Sequence, residues 1–443
     1  MRKVFIAAIL TLASIVPAQA ANQPITVMSR NLYLGADVGV AMKLIPDFSA
    51  AAQFMWSQVS ATDFAKRAPV LAQEVISQNA DVVGLQEATH WYCKKNFWSK
   101  KIIVFDFAQQ FLEATRKLGQ EYVLASKDGV DALNIGYSIP AIPYLTMVRD
   151  PGTFQPLFGS DRAACGFEIG DALIIKKELA SKILQVGNSE YETSYSIIPK
   201  IMTIYRGYSW ADIDFNGRKV RIVTTHLESL WDSNKVPNSA LQATQLISDL
   251  SATKMPTIVM GDFNSDPRDP RPNSRSNPGG QPESSKACTT QVEKPTPNSA
   301  IDTCSAYWIM RKAGYVDVGP DAQSAKNFTW GMSALLAGPD AKRNQAALKM
   351  GNKYGFTDRL DYIFLKNGAD IVSSKIIGNT PPKSGLWPSD HASVVAQVSL
   401  PDYSDESPFL DSHEPFPISF WNWVGILMLI SLSGIIYLKR RKK

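Results

Sequence analysis

Residues 257–267 read TIVMGDFNSDP. Thr257 to Met260 is a short, almost wholly apolar run, and Asp262 and Asn264 follow it directly. Such a run is the pattern of a strand covered on both faces. Polar residues at its end fall on the rim where α/β sheets form their sites. The same construction recurs along the chain. ITVMS (25–29) leads to Asn31, DVVGLQ (81–86) leads to Glu87, and VRIVTTHL (220–227) contains His226. DYIFL (361–365) starts at Asp361, SVVAQVSL (393–400) follows Asp390 and His391, and ALIIKK (172–177) is a further apolar run. Between them DFAKRAPVLAQEVISQN (63–79) sets Phe64, Ala68, Leu71, Val75 and Ile76 at helical spacing. Pro69 lies inside it, so the helix kinks or begins there. Strands mixed with helices make a layered α/β or α+β fold.

Both ends of the chain read differently from its middle. Residues 1–20, MRKVFIAAILTLASIVPAQA, have a basic start, an apolar stretch and an Ala-x-Ala ending. That is the layout of a cleaved signal peptide. At the other end 419–438 is expected to be a transmembrane helix. Phe420–Leu438 carries no charge and is followed by the basic tail 439–443, KRRKK. Nineteen residues at ~1.5 Å each give roughly 28 Å, enough to span a hydrocarbon core. An acidic, Pro-containing stalk, 401–418, precedes it. The expectation is a single-pass protein whose domain 21–400 lies outside the cytoplasm, periplasmic or at the cell surface. A sorting tail, removed on release to the surface, is the other fate these residues allow.

The formal net charge of +5 belongs to those ends. Arg2, Lys3 and the five terminal cations exceed it, so residues 21–438 carry −2. The exported part therefore lacks the bulk basic charge of tight nucleic-acid binders. Cys93, Cys165, Cys288 and Cys304 contain no C-x-x-C pair, which argues against a thiolate metal site. Disulfides suit an oxidising compartment. Cys288–Cys304 would close a short loop, although four cysteines allow three pairings. Residues 265–300, rich in Pro, Ser and Asn, read as a disordered insertion loop. Residues 133–160 are apolar and aromatic but broken by prolines.

The strand-end residues make one chemical inventory: carboxylates Glu87, Asp262, Asp361 and Asp390, carboxamides Asn31 and Asn264, imidazoles His226 and His391. Hard oxygen donors with few nitrogens suit Mg²⁺ or Mn²⁺ together with a phosphate. An imidazole oriented by an acid can move a proton or steady a charged phosphoryl group. P-loop, H-E-x-x-H and G-x-S-x-G motifs are absent, which argues against the chemistries they serve. His90 and His413 have no comparable setting.

In order and wording, GLQEA (84–88), THLES (225–229), GDFNSDP (261–267), RLDYIF (359–364) and SDHASV (389–394) resemble the signature segments of the endonuclease/exonuclease/phosphatase superfamily. RNLYLGAD (30–37) is similar to the opening of its secreted bacterial members. The resemblance covers about residues 25–400. It implies a four-layer α/β sandwich, two packed mixed sheets flanked by helices, to which the C-terminal transmembrane helix is added. It implies hydrolysis of a phosphate ester, most of all a phosphodiester, by in-line attack of water with one divalent ion, Mg²⁺ or Mn²⁺. Glu87, Asn31 and Asp390 are its metal-side residues. Asp262 positions or deprotonates the water, and Asn264 and His226 contact the phosphate. His391 is the catalytic histidine, oriented by Asp361.

Departures from the family are visible too. Tyr33 stands where abasic-site enzymes carry an acid. Asp171 stands where other branches often carry a carboxamide, and is given no role. Phe328-Thr329-Trp330 resembles a segment of the substrate rim, with core packing the plainer reading. Arg206 is expected in a surface ion pair. The expected partners are a phosphodiester, nucleic acid or phospholipid, and a membrane through the C-terminal helix; no obligate protein partner is evident. A nuclease is the first reading, a sphingomyelinase-like lipid phosphodiesterase the second and a phosphomonoesterase the third. A binding protein on a retired enzyme fold is the reading without catalysis.

Overall fold

The computed structural model describes residues 23–136, 138–151, 162–199, 202–230, 236–268, 304–331 and 341–402. Two sheets dominate it. The first has seven strands, in the spatial order Asp370–Ile377, Ser393–Ser399, Ile25–Asn31, Val82–Gln86, Gly170–Lys176 and Tyr122–Leu124, with Leu133–Ile135 also on Gly170–Lys176. The second has six, in the order Ile183–Glu190, Gly207–Phe215, Arg218–His226, Thr257–Asp262, Asp361–Lys366 and Val316–Asp317. All seven apolar runs read from the sequence are strands of these two sheets.

Side-chain alternation along the strands builds the layers, because successive residues point to opposite faces. Ile25, Val27, Val82, Leu173 and Ile175 of the first sheet share one core with Ile222, Ile258, Met260, Ile363 and Leu365 of the second. Met28, Val83, Leu85, Ala172 and Ile174 point the other way, onto helices Phe48–Thr62, Phe64–Ser77 and Phe107–Lys117. Val223, Val259, Tyr362 and Phe364 likewise cover helices Asn238–Asp249 and Ala306–Lys312. The arrangement is helix, sheet, sheet, helix. Helix Phe64–Ser77 runs through Pro69 rather than starting there.

A C-terminal transmembrane helix does not stand as part of this fold. No described helix is long and apolar enough to cross a membrane. The longest, Phe48–Thr62, has 15 residues, roughly 22 Å of helix against ~30 Å of hydrocarbon. The stretch 419–438 lies outside the described residues, as do 1–20, 403–443 and most of 265–300. Cys93 and Cys165 are disulfide-bonded; they face each other across neighbouring strands of a small four-stranded sheet. Cys304 is disulfide-bonded too, and Cys288 is outside the described residues.

The two sheets approach closely beneath one rim. A Cβ on Gly84 would stand 2.5 Å from Thr224 Oγ1, so only glycine fits there. Gln86 Nε2 donates to Thr224 Oγ1 at 3.0 Å, and Ser29 Oγ donates to Gln86 Oε1 at 3.2 Å. In each sheet the central pair is parallel, Asn31 level with Gln86 and His226 level with Asp262. Both pairs end at that rim. Asp361 begins an antiparallel strand level with Asp262, and the residues before Ser393 arrive beside the end of Ile25–Asn31.

Candidate active site

Strand ends therefore deliver seven of the eight singled-out residues to one rim, and the turn after Asp262 brings Asn264. Buried arginines hold the connecting loops there. Arg67 donates to the carbonyls of Leu32 at 2.7 Å, Tyr33 at 3.0 Å and Pro388 at 2.9 Å, joining the loop after Asn31 to the loop before Asp390. Arg30 donates to the carbonyl of His391 at 2.6 Å. Ser389 Oγ donates to the Asn31 carbonyl at 2.9 Å and accepts the His391 N–H at 3.1 Å. A site floor built on such bonds leaves its side chains few alternatives.

Asp361, His391 and Asp262 form a buried series. His391 Nδ1 donates to Asp361 Oδ2 at 2.9 Å, which turns Nε2 toward Asp262 Oδ2 at 3.6 Å. Burial works against a charge on this ring, yet Asp361, Asp390 and Asp262 outweigh it and raise its pKa to about 10. The imidazolium so favoured is a charged donor aimed at the rim. Burial raises Asp262 to about 7, against the pull of His391 and with a further push from Asp361. Thr329 Oγ1 accepts the Asp361 N–H at 3.1 Å and so fixes where its strand begins.

His226 is held in the opposite charge state. Burial first, and then Arg206, lower its pKa well below the ordinary value. Arg206 Nη1 lies 3.0 Å from His226 Nδ1. A guanidinium can only donate, so the neutral ring carries its proton on Nε2. That atom lies 3.4 Å from Asp262 Oδ2 and 3.1 Å from Asn264 Nδ2. Asn264, at φ +45°, donates its own N–H to Asp262 Oδ1 at 2.9 Å and its amide to the Leu227 carbonyl at 2.8 Å. One imidazole is charged and the other neutral, a few ångströms from the same carboxylate.

Glu87, Asn31 and Asp390 make the other side. Glu87 adopts φ +57°, a left-handed backbone that costs a non-glycine residue roughly 1 kcal/mol. It is held there as the Leu34 N–H donates to its carboxylate and Thr89 Oγ1 donates to its carbonyl at 2.9 Å. Asp390 Oδ2 accepts Trp330 Nε1–H at 3.1 Å, while Oδ1 is buried without a hydrogen-bond partner. Burial, and to a smaller degree the Glu87 charge, raise Asp390 to about 6, against the lowering effect of His391. Asn31 Oδ1 accepts the Tyr33 N–H at 2.8 Å, and its Nδ2 donates to Asp262 Oδ2 at 3.2 Å, joining the two sides.

These groups fit a divalent cation. Two carboxylates that repel each other, one with an orphaned buried oxygen, and a carboxamide oxygen with a spare lone pair are the donor set a hard ion prefers. Asp262, Asp361 and His391 also meet the spacing of a metal-binding group. All three of these residues are buried.

Further residues surround these groups. Arg206 is not at the surface: it is 7% exposed and pairs with buried Glu228 at 3.2 Å, because the fold closes over it. Asp171 stands 4.0 Å from His226 Nδ1, accepts the Glu87 N–H, and is pushed well up by burial. Phe328 is core, whereas Thr329 and Trp330 reach Asp361 and Asp390. Tyr33, in place of an acid, is buried with its hydroxyl unpartnered. No sequence periodicity marks Arg206. Its signal was position alone, one residue before a strand that starts at the rim beside Thr225.

Comparison with known proteins follows the same lines. The sequence profile of the Endonuclease/Exonuclease/phosphatase family matches residues 60–391. Similar solved structures include an endonuclease/exonuclease/phosphatase family protein from Leptotrichia buccalis, 15% identical with a TM-score of 0.44 over 84% of this chain and 99% of that one. A mannosyl-6-phosphatase from Bacteroides thetaiotaomicron is 15% identical with a TM-score of 0.40, over 84% and 99%. A humanized TDP2 of D. rerio is 16% identical with a TM-score of 0.39, over 84% and 98%. No curated protein matches the chain.

Proposed function

Since the chain belongs to the endonuclease/exonuclease/phosphatase family, a family of phosphoester hydrolases, we propose that it is a divalent-metal-dependent phosphodiesterase acting by in-line attack of water. The observation that carries this reading is the buried series Asp361–His391–Asp262 facing neutral His226. Asp262 accepts the proton of the attacking water, held in line by Asn31 and Asn264. His391, kept charged and oriented by Asp361, donates from Nε2 to the phosphoryl oxygens. His226 presents Nε2–H to the same group, a second donor aimed where charge develops. A Mg²⁺ or Mn²⁺ held by Glu87, Asp390 and Asn31 would polarise a phosphoryl oxygen. The rim has five carboxylates, Glu87, Asp171, Asp262, Asp361 and Asp390. Its named cations are His391 and an Arg206 committed to Glu228. That balance favours a diester with one negative charge over a dianionic monoester.

The test is purified protein with Mg²⁺ on plasmid DNA and on sphingomyelin vesicles in parallel, with EDTA and Glu87→Ala as controls. Metal-dependent cleavage of either diester, lost in Glu87→Ala, supports the reading and names the substrate class. Activity on monoesters alone, or cleavage indifferent to EDTA, overturns it. Export to an oxidising compartment is part of the same proposal, supported by the 1–20 pattern and by the Cys93–Cys165 bond. A cytoplasmic protein that retains residues 1–20 would refute that part.

A further inference from the structure

Strands His90–Lys94 and Ile102–Asp106 pair antiparallel as a hairpin that starts three residues after Glu87. Its outer end is unlike the rest of the surface. Trp98 is 83% exposed and Phe97 44%, and Tyr144, 69% exposed on the neighbouring segment, has its ring 6.4 Å from Phe97. Ile102 and Ile103 are exposed beside them. Lys94, Lys95, Lys100 and Lys101 flank the aromatics, and no acid lies between Cys93 and Phe105. Lys101 is held by Glu168 at 2.7 Å; Lys95 and Lys100 have no acidic partner among the described residues.

This end is built to hold its shape. Asn96 Oδ1 accepts the N–H groups of Trp98 at 2.9 Å and Ser99 at 2.8 Å. Ser99 Oγ accepts those of Lys95 at 2.9 Å and Asn96 at 3.0 Å. The Cys93–Cys165 disulfide ties the hairpin to the strand beside it. A rigid loop that keeps a tryptophan in water needs a partner that repays the exposure.

We propose that this hairpin docks the protein on a lipid bilayer carrying anionic headgroups. Trp98, Phe97 and Tyr144 enter the headgroup–acyl boundary, which amphipathic rings favour. Lys95 and Lys100 stay at the level of the lipid phosphates and carboxylates. Single-stranded nucleic acid would stack on the rings but gains nothing from Ile102 and Ile103, and it asks for a long basic groove. A second copy meeting this patch about a two-fold axis would set like charges against each other. An apolar cavity that reaches the hairpin only at Trp91, lined also by Met42, Ile45, Met55, Val148 and Met202, holds about 60 Å³. A cavity of ~150 Å³ takes one benzene, so this one takes no lipid chain, and contact with lipid falls to the tip.

The full chain and Trp98→Phe are compared by fluorescence, and the difference between them isolates Trp98. With vesicles of phosphatidylcholine and phosphatidylglycerol the difference emission should shift to the blue and be quenched by brominated acyl chains. Lys95→Gln and Lys100→Gln should each weaken vesicle binding by about fivefold at low salt. Glu87→Ala should dock like the unaltered chain, which separates docking from the hydrolytic reading. An unchanged, water-like Trp98 signal on vesicles overturns the proposal. So does a signal that answers to an oligonucleotide alone, or to protein concentration without lipid.

Discussion

The two sheets place the same topological feature at the rim and end it in different residues. Each has a central parallel pair with an antiparallel strand on either side. In the first sheet that pair ends in Asn31 and leads to Glu87, oxygen donors without a nitrogen base. In the second it ends in His226 and Asp262, with Asp361 starting the next strand, a set that adds an imidazole to the carboxylates. Asp390 and His391 enter on one loop, yet they divide between the two. Asp390 joins Glu87 beneath Trp330, and His391 turns to Asp361 and Asp262. Neighbours in sequence serve opposite sides because successive side chains point apart as a strand begins.

This division can be broken experimentally. Chelation should remove all turnover, restored by Mg²⁺ or Mn²⁺. Glu87→Ala and His391→Ala should each lower turnover at least ~100-fold. Only the first should recover in part at raised metal concentration, since only Glu87 is among the residues proposed to hold the cation. Equal recovery, or none in either, would show that the sides are not separate; titrating activity against Mg²⁺ decides.

A smaller effect is expected for the residues behind the reacting groups. Asp361→Asn keeps the shape but loses the charge that favours the protonated His391, and turnover should fall roughly 10–100-fold, with a lowered melting temperature from the broken buried pair. Trp330→Phe deletes the N–H on Asp390 and should weaken metal affinity by about 10-fold, with kcat at saturating metal nearly intact. A Trp330→Phe enzyme that lost kcat instead would move Trp330 to the proton-handling side.

How much of this was legible depended on whether a residue's partners are local. Asp262 and Glu87 were readable because an apolar strand is broken by polarity where it meets the rim. The outer helices Phe107–Lys117 and Asn238–Asp249 were not singled out, nor was the hairpin between Glu87 and Asp106. The burial of Arg206 and Asp171 was hidden for a physical reason. Alone each is a charge that belongs in water; Arg206 is met by Glu228, 22 residues away, and Asp171 by the Arg206 charge and the Glu87 backbone N–H, 35 and 84 residues away. Trp330 was weighed as core because an aromatic pair more often packs inward, which holds for Phe328 alone. Their alternation across the turn appears only when Thr329 is seen bonded to Asp361.

The least costly break lies below the site. Thr224→Val removes the hydroxyl that accepts from Gln86 Nε2 while keeping the side chain's shape. Gln86 still donates to the Gly84 carbonyl at 3.0 Å, so one of its two amide hydrogens is left buried without an acceptor. That should cost about 1–3 kcal/mol in a denaturant titration. The Asn31–Asp262 bond at the rim still joins the sheets, so activity should stay within about threefold, ~0.7 kcal/mol in barrier terms. If activity instead fell as far as in Asp361→Asn, sheet spacing beneath Gly84 would itself set the reach from Glu87 to Asp262. The two sides would then be one mechanical unit rather than two chemistries meeting at a rim.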